Sequence, residues 1–300
     1  MQCFGIDIVV DVKLEMLALP DITHPTHAQA RQCTHDRLPL RIENFGFRHD
    51  IDHHSRHIAR LPGLYRRVAP WPKADASAEV TREEGNAVQI VHLGQSCLLV
   101  ETGAVRLLLD PGIYSSGLEQ LTDLDAILVT HQHPDHLDLD RLPALLAANP
   151  AADLVVDSGS VPMLVKAGIP HRMVSPGQRL ELGGTPIEVI GGAHGVIHPD
   201  IPVVPNNGYL IDGDGGTVLH PGDSLDPPGR PVDLLLLPTV APWLKISEAV
   251  DYLRTVAPAL AVPIHQAILA KPEKYYGLFR ELRPAGTDLQ IAVPGESLKL

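Results

Sequence analysis

Three imidazoles and a carboxylate fall within six positions of the run Thr130-His131-Gln132-His133-Pro134-Asp135-His136. The run follows Ala126-Ile127-Leu128-Val129, an apolar stretch that reads as a buried strand, and the pattern breaks at Thr130. The cluster therefore belongs on a loop at the C-terminal end of a strand, where functional residues are commonly presented. A neutral imidazole is a good ligand for Zn2+, Fe or Mn, and an ionised Asp adds the negative charge that a second dication needs. In an extended loop His131 and His133 point the same way and can chelate one ion. Asp135 and His136, beyond the turn favoured by Pro134, can serve another. The competing reading is a polar loop that happens to be rich in His. So many donors directly behind a buried strand argue against it.

In its order His-x-His-x-Asp-His at a strand's end, the cluster resembles the signature of the metallo-β-lactamase superfamily. The rest of that pattern is present in order, each element behind an apolar run. Asp110 ends Val105-Arg106-Leu107-Leu108-Leu109, and His194 follows Ile187-Glu188-Val189-Ile190-Gly191-Gly192-Ala193. Asp223 closes Val218-Leu219-His220-Pro221-Gly222, and His265 follows Leu260-Ala261-Val262-Pro263-Ile264. Within the superfamily the chain looks most like the ascorbate-6-phosphate-lactonase-like metal-dependent hydrolases. That likeness lies in Val91-His92-Leu93-Gly94-Gln95-Ser96, Asp110-Pro111-Gly112 and Pro263-Ile264-His265.

The resemblance implies a four-layer α/β/β/α sandwich, the metallo-β-lactamase fold. It implies that His131, His133 and His194 hold one divalent ion and Asp135, His136 and His265 a second. Asp223 and a hydroxide would bridge the two, with Asp135 and Asp223 as the catalytic carboxylates. Zn2+ is the first expectation, and these donors also accept Mn2+ or Fe2+. Two ions would lower the pKa of a shared water and polarise the scissile bond. Taken alone, Asp223 would be an ordinary turn Asp and His265 a satisfied core histidine. The 131–136 cluster reverses both readings, because a dimetal centre needs ligands from beyond its own loop. His198, four residues past His194, is the alternative third ligand; His194 follows its strand more closely, which leaves His198 a substrate contact or a support. Asp110 is expected to orient a ligand His, and His220 and His92 to support the site or merely to pack.

The chain has 300 residues, 44% of them hydrophobic and only 4% aromatic, so aliphatic strands must fill the interior. Gly 25 and Pro 28 fit many tight turns between short strands. No run of 18 apolar residues indicates a membrane span. Cys3, Cys33 and Cys97 form no C-x-x-C and no paired framework, which with the acidic N-terminal stretch favours a cytoplasmic protein. Cys97 reads as a small buried thiol. The net charge of −12 falls almost wholly after residue 85, where 24 acidic residues face 13 basic ones. Such a balance argues against a nucleic-acid groove and for a small-molecule substrate.

Residues 1–85 carry seven of the 16 His and little periodicity. They are expected to be a poorly structured extension, disordered or absent from the natural product, with residues 86–300 forming the hydrolase domain. The His-rich stretch 48–57 follows no strand and reads as solvated. Expected strands are Val88–His92, Cys97–Glu101, Val105–Leu109, Ala126–Thr130 and Leu154–Asp157, then Arg179–Leu182, Pro186–Ile190, Gly208–Ile211, Thr217–His220, Leu234–Pro238 and Leu260–Pro263. Helices are expected over Arg141–Ala148 capped by Asp140, from Ser160 to Ala167, from Ser247 to Thr255, and over Glu273–Leu282.

The leading function is a dinuclear-metal hydrolase acting on a small, anionic ester, lactone or phosphorylated molecule. The alternatives are a phosphodiesterase acting on a nucleotide or nucleic acid, and a metal-binding scaffold without catalysis. The loops Ile113–Gln120, Pro199–Asn207 and Val240–Lys245 are expected to wall the pocket.

Overall fold

The computed structural model of the protein describes residues 87–103 and 105–300. The expectations for residues 1–85, including the His-rich stretch, lie outside the described residues. The first half of the described chain supplies six strands: β1 Gln89–Gly94, β2 Cys97–Thr102, β3 Val105–Leu109, β4 Ala126–Leu128, β5 Asp153–Val156 and β6 Arg172–Met173. The second half supplies β7 Arg179–Leu182, β8 Thr185–Gly191, β9 Asn207–Gly213, β10 Gly216–His220, β11 Leu234–Pro238, β12 Leu260–Ile264, β13 Asp288–Leu289 and β14 Ser297–Lys299. Four helices complete the set: α1 Leu142–Ala148, α2 Val161–Ala167, α3 Ile246–Val256 and α4 Glu273–Leu282.

The strands form two seven-stranded sheets, ordered β14-β1-β2-β3-β4-β5-β6 and β13-β12-β11-β10-β9-β8-β7. Both are mixed: β1, β2 and β3 pair antiparallel while β3, β4, β5 and β6 run parallel. In the second sheet β7 to β10 are antiparallel and β10 to β13 parallel. Strand period decides the layers, because alternate side chains leave opposite faces. Leu107 and Leu109 of β3 join Leu234 and Leu236 of β11 in the core between the sheets. Leu108 turns outward to pack with Leu142, Leu145 and Leu164 of α1 and α2. Leu235 and Leu237 turn the other way, towards Ala249, Leu253 and Phe279 of α3 and α4. The leucines of β11 are fully buried on both faces, each contributing about 1.5–3 kcal/mol relative to exposure. The result is the four-layer α/β/β/α sandwich expected from the sequence.

The helix starts differ from expectation in their caps. Asp140 does not cap α1. Asp138 does the work from further back, its Oδ1 accepting from the backbone N–H of Asp140 and Arg141 at 3.0 and 3.2 Å. Ser160 stands at the N-cap of α2 but its hydroxyl donates to Asp157, which itself accepts the Gly159 and Ser160 N–H groups. α3 starts two residues earlier than a Ser247 cap allows, with Lys245 at the cap and Glu248 accepting the Lys245 N–H at 2.8 Å. Acidic side chains win here because they accept more strongly than a hydroxyl and complement the helix N-terminus. The short strands β6, β13 and β14 were not expected. β14 pairs with β1 and brings the chain's last residues onto the edge of the first sheet.

Candidate metal centre

Five strand ends deliver the site. Asp110 follows β3, the loop 131–136 follows β4, His194 follows β8, Asp223 follows β10 and His265 follows β12. Gln95 in the β1–β2 turn, Asp110 and His265 all adopt positive φ, at 51°, 46° and 61°. Left-handed backbone in non-glycine residues is uncommon and gathers at functional sites.

The donors converge in three overlapping groups: His131 with His133 and His194; His131 with His136 and Asp223; and Asp135 with His136 and His265. Within each, the ligand atoms lie within 4.8 Å of one another. Asp223 stands between them. Its Oδ1 is 3.2 Å from His136 Nε2 and 3.3 Å from His265 Nε2, and its Oδ2 is 3.3 Å from His194 Nε2. His198 joins none of these groups. Its side chain is 60% exposed, and its Nδ1 accepts the Asp200 N–H at 3.1 Å.

The ring tautomers follow from the partners on the far side of each imidazole. His136 Nδ1 lies 2.7 Å from Asp110 Oδ2, His265 Nδ1 2.6 Å from the Val240 carbonyl, and His194 Nδ1 2.6 Å from the Gly195 carbonyl. All three acceptors require an Nδ1–H, so in the neutral ring, the state that binds a metal, the lone pair falls on Nε2. The Thr130 hydroxyl donates its one proton to Asp110 Oδ2 at 2.8 Å and must accept from His131 Nδ1 at 3.0 Å, which leaves His131 Nε2 as a lone pair too. That Nε2 stands 3.0 Å from His133 Nδ1. His136 Nε2, His194 Nε2 and Asp223 Oδ1 are buried and, although His136 and His194 stand 3.2–3.3 Å from the Asp223 carboxylate, complete no well-aligned hydrogen bond. Buried polar atoms without partners are rare, and lone pairs aimed at a common centre are what divalent cations satisfy. The donor set therefore fits metal.

Charge within the site points the same way. Burial alone would raise Asp223, but His136 and His265 hold it well below the usual carboxylate range. Asp110 and Asp135 are also lowered against the pull of burial, Asp110 by His136 and His220, and Asp135 by His265 and His136. Burial, followed by the charge of His136, pushes His131 well below an ordinary histidine, whereas the Asp223 and Asp110 carboxylates overcome burial at His136 and raise it. Asp110 never reaches the donor groups. It accepts from Thr130 N, Thr130 Oγ1 and His136 Nδ1 and stands 3.2 Å from His220 Nε2, the orienting role expected of it. His220 also contacts the Ser96 carbonyl at 3.1 Å, and His92 the Gln95 carbonyl at 2.9 Å.

Two site residues had no role in the sequence reading. Gln95 donates from Nε2 to Asp135 Oδ2 at 3.0 Å, and its Oε1 accepts the Ala267 N–H at 3.0 Å, tying the β1–β2 turn to the loop after β12. Its signal was its place in the Val91–Ser96 motif that carries the family likeness, which gave it no individual role. Trp243 donates its indole N–H to Asp223 Oδ2 at 2.8 Å and meets the His194 ring edge-on at 5.8 Å. Gly195 makes room for it, since a Cβ there would sit 2.2 Å from the indole. Its one signal was an aromatic on an expected wall loop of an aromatic-poor chain. Cys97 is no nucleophile: fully buried, its thiol is pushed up to about 12. A separate cleft of about 290 Å3, lined by Arg179, Glu188, Asp212 and Arg230 among others, contains none of these donors.

Fold and donor geometry define a metallohydrolase of the β-lactamase-like kind, and comparison with known proteins agrees. Residues 89–265 match the family described as Beta-lactamase superfamily domain, and the chain belongs to it. Protein Rv0786c of Mycobacterium tuberculosis is 52% identical over 215 residues, covering 70% of this chain and 98% of that protein. A UPF0173 metal-dependent hydrolase of Carboxydothermus hydrogenoformans is 26% identical, covering 71% of this chain and all of its own length. Among solved structures, the metallo hydrolase Igni18 of Ignicoccus hospitalis superposes with a TM-score of 0.56 at 21% identity, covering 71% of this chain and 98% of its own. The chain is thus a metal-dependent hydrolase of the metallo-β-lactamase superfamily. Among the described residues, no helix is long and apolar enough to cross a membrane.

Proposed function

We propose that the protein is a dinuclear-metal hydrolase of a small ester, lactone or phosphorylated substrate. The observation that carries this is the inward turn of four Nε2 atoms, each ring fixed by an acceptor behind its Nδ1, around Asp223. His131, His133 and His194 would hold one ion, and Asp135, His136 and His265 the other. Asp223 faces both sets, Oδ1 towards His136 and His265 and Oδ2 towards His194. When bound, the ions supply a water acidic enough to attack at neutral pH and a Lewis-acid pole for the scissile bond, and Zn2+, Mn2+ and Fe2+ all suit these donors.

The protein's own groups keep that chemistry in order. Asp110 retains the His136 Nδ1 proton and anchors Thr130, so the 131–136 loop cannot rotate its rings outward. Gln95 holds Asp135, and Trp243 holds Asp223. The Asp135 side chain is 24% exposed against 5% for Asp223, so Asp135 is the carboxylate able to exchange a proton with solvent and leaving group. The test is elemental analysis after chelation and reconstitution, alongside hydrolysis of carboxyl esters, lactones and phosphate esters. About two ions per chain and chelator-sensitive turnover are expected. One ion per chain at saturation would overturn the dinuclear assignment, and full turnover by metal-free protein would overturn the metallohydrolase.

A further inference from the structure

From the loops around this centre we infer that its mouth receives the hydrocarbon part of an uncharged substrate, a carboxyl ester or lactone with an aliphatic or aryl chain. The inference rests on the hydrolase reading above and narrows it. Among the described residues, 11 large hydrophobic side chains are exposed, and seven of them lie on loops that leave the site directly. Ile113 and Tyr114 follow Asp110, and the Ile113 N–H bonds to the Pro134 carbonyl inside the 131–136 loop at 2.9 Å. Val196, Ile197, Ile201 and Val203 lie between His194 and β9, on a loop held to the site by His194 N–H to Val204 O at 3.0 Å and Gly195 N–H to Asp223 O at 2.7 Å. Ile268 stands three residues past His265, next to the Ala267 N–H that Gln95 captures. Single exposed aliphatics are ordinary, but seven of 11 gathered on loops that leave one site point to a binding surface there.

The charges on the same loops offer little to a substrate whose anion lies away from the metal centre. Glu119 faces Arg141 at 3.7 Å, Lys245 faces Glu248 at 3.9 Å, and Asp200 faces His198 at 3.6 Å. Arg141 is turned into the protein, donating to the Gly112 and Ser115 carbonyls. No Arg lies on the loops 113–120, 195–206, 240–245 or 266–271, and Lys271 is the remaining cation there. Phosphate and carboxylate groups are recognised by arginine forks or by several converging cations, and a lone exposed Lys is neither. Among the described residues, the remote anion of the substrate expected from the sequence thus finds no converging cations on these loops. Its hydrocarbon would lie along Tyr114, Ile197 and Ile201, with the acyl carbon at the metal centre.

The experiment uses the full metal-loaded chain with p-nitrophenyl acetate, butyrate, hexanoate and octanoate, and with the mono-p-nitrophenyl ester of adipate, whose far carboxylate would lie in the mouth. KM should fall about two- to fourfold per added methylene, the upper figure being full burial of a CH2, and the adipate ester should be far poorer than the hexanoate. Ile197→Asp and Ile201→Asp, both at exposed positions, should abolish the chain-length slope, whereas Val165→Asp, exposed on α2 and away from these loops, should leave it as it is. A flat slope, or a preference for the adipate ester, overturns the inference and leaves the hydrolase reading standing. Absence of metal-dependent turnover on every ester, lactone and phosphate ester defeats that reading itself. If either isoleucine variant splits an oligomer in sedimentation and leaves the slope intact, the surface joins copies of the chain and the inference fails.

Discussion

Replacing Trp243 by Phe removes the indole N–H while keeping a smaller aromatic ring in the same place. The ring body stays against His194 and over Gly195, while the indole N–H that reaches Asp223 Oδ2 at 2.8 Å is lost. Asp223 is 3% exposed, so no solvent replaces that donor, and a hydrogen bond to a buried charged acceptor is worth about 1.5–3 kcal/mol. At about 1.4 kcal/mol per tenfold, free rotation of the carboxylate should weaken metal binding by roughly ten- to hundredfold. The loss should fall mainly on the His131, His133 and His194 side, because Oδ2 faces His194. Competition against a chromophoric chelator measures both affinities in the wild-type and Trp243→Phe proteins. The chain has two Trp, Trp71 and Trp243, so a Trp71→Phe protein also makes Trp243 a fluorescent reporter of metal arrival. Unchanged or tighter metal binding in Trp243→Phe would refute the positioning argument, as would fluorescence indifferent to metal.

Asp223→Ala should abolish turnover and lower metal content while the far-UV spectrum is kept; His194→Ala should cost at least about a hundredfold in kcat/KM and His198→Ala less than about threefold, and the reverse order would misplace the third ligand. Gly112→Ala would set a Cβ 1.9 Å from the Asp135 carbonyl oxygen. A clash with backbone cannot relax cheaply, so it should cost at least about 2 kcal/mol and lower Tm by several degrees, and an unchanged melt would contradict the packing. In metal-free protein, burial lowers the His265 pKa but Asp223 and Asp135 raise it further, to about 9 against 6.5 for an ordinary histidine. A raised folded pKa stabilises fully below about 6.5 and ceases to do so as pH rises through about 9, so Tm in chelator should decline across that window. Metal-loaded protein should show the opposite trend, since protons compete with metal for the same Nε2 atoms, and a chelated Tm that climbs with pH would be incompatible with this charge arrangement.

The strands, the loop cluster and the ordered polar residues at strand ends were legible in the sequence because each is a local signal. Short apolar runs flanked by breakers, such as Leu234–Leu237 before Pro238, read as buried strands, and the chemistry begins where such runs break, at Asp110, Thr130 and His265. What depended on tertiary structure were relations between distant residues. His194 and His198 are equivalent in type and four apart, and only the path of the loop after β8 turns one towards Asp223 and leaves the other in solvent. Gln95 reaches Asp135 across 40 positions and His265 across 170, and no periodicity encodes such contacts. Trp243 needs the space above Gly195 on another element. β14 is too short to announce itself and exists because β1 offers it an unpaired edge. The chain's local pattern determined which residues carry the chemistry, and the packing of two sheets determined which way each one faces, since direction depends on neighbours that the pattern alone does not bring together.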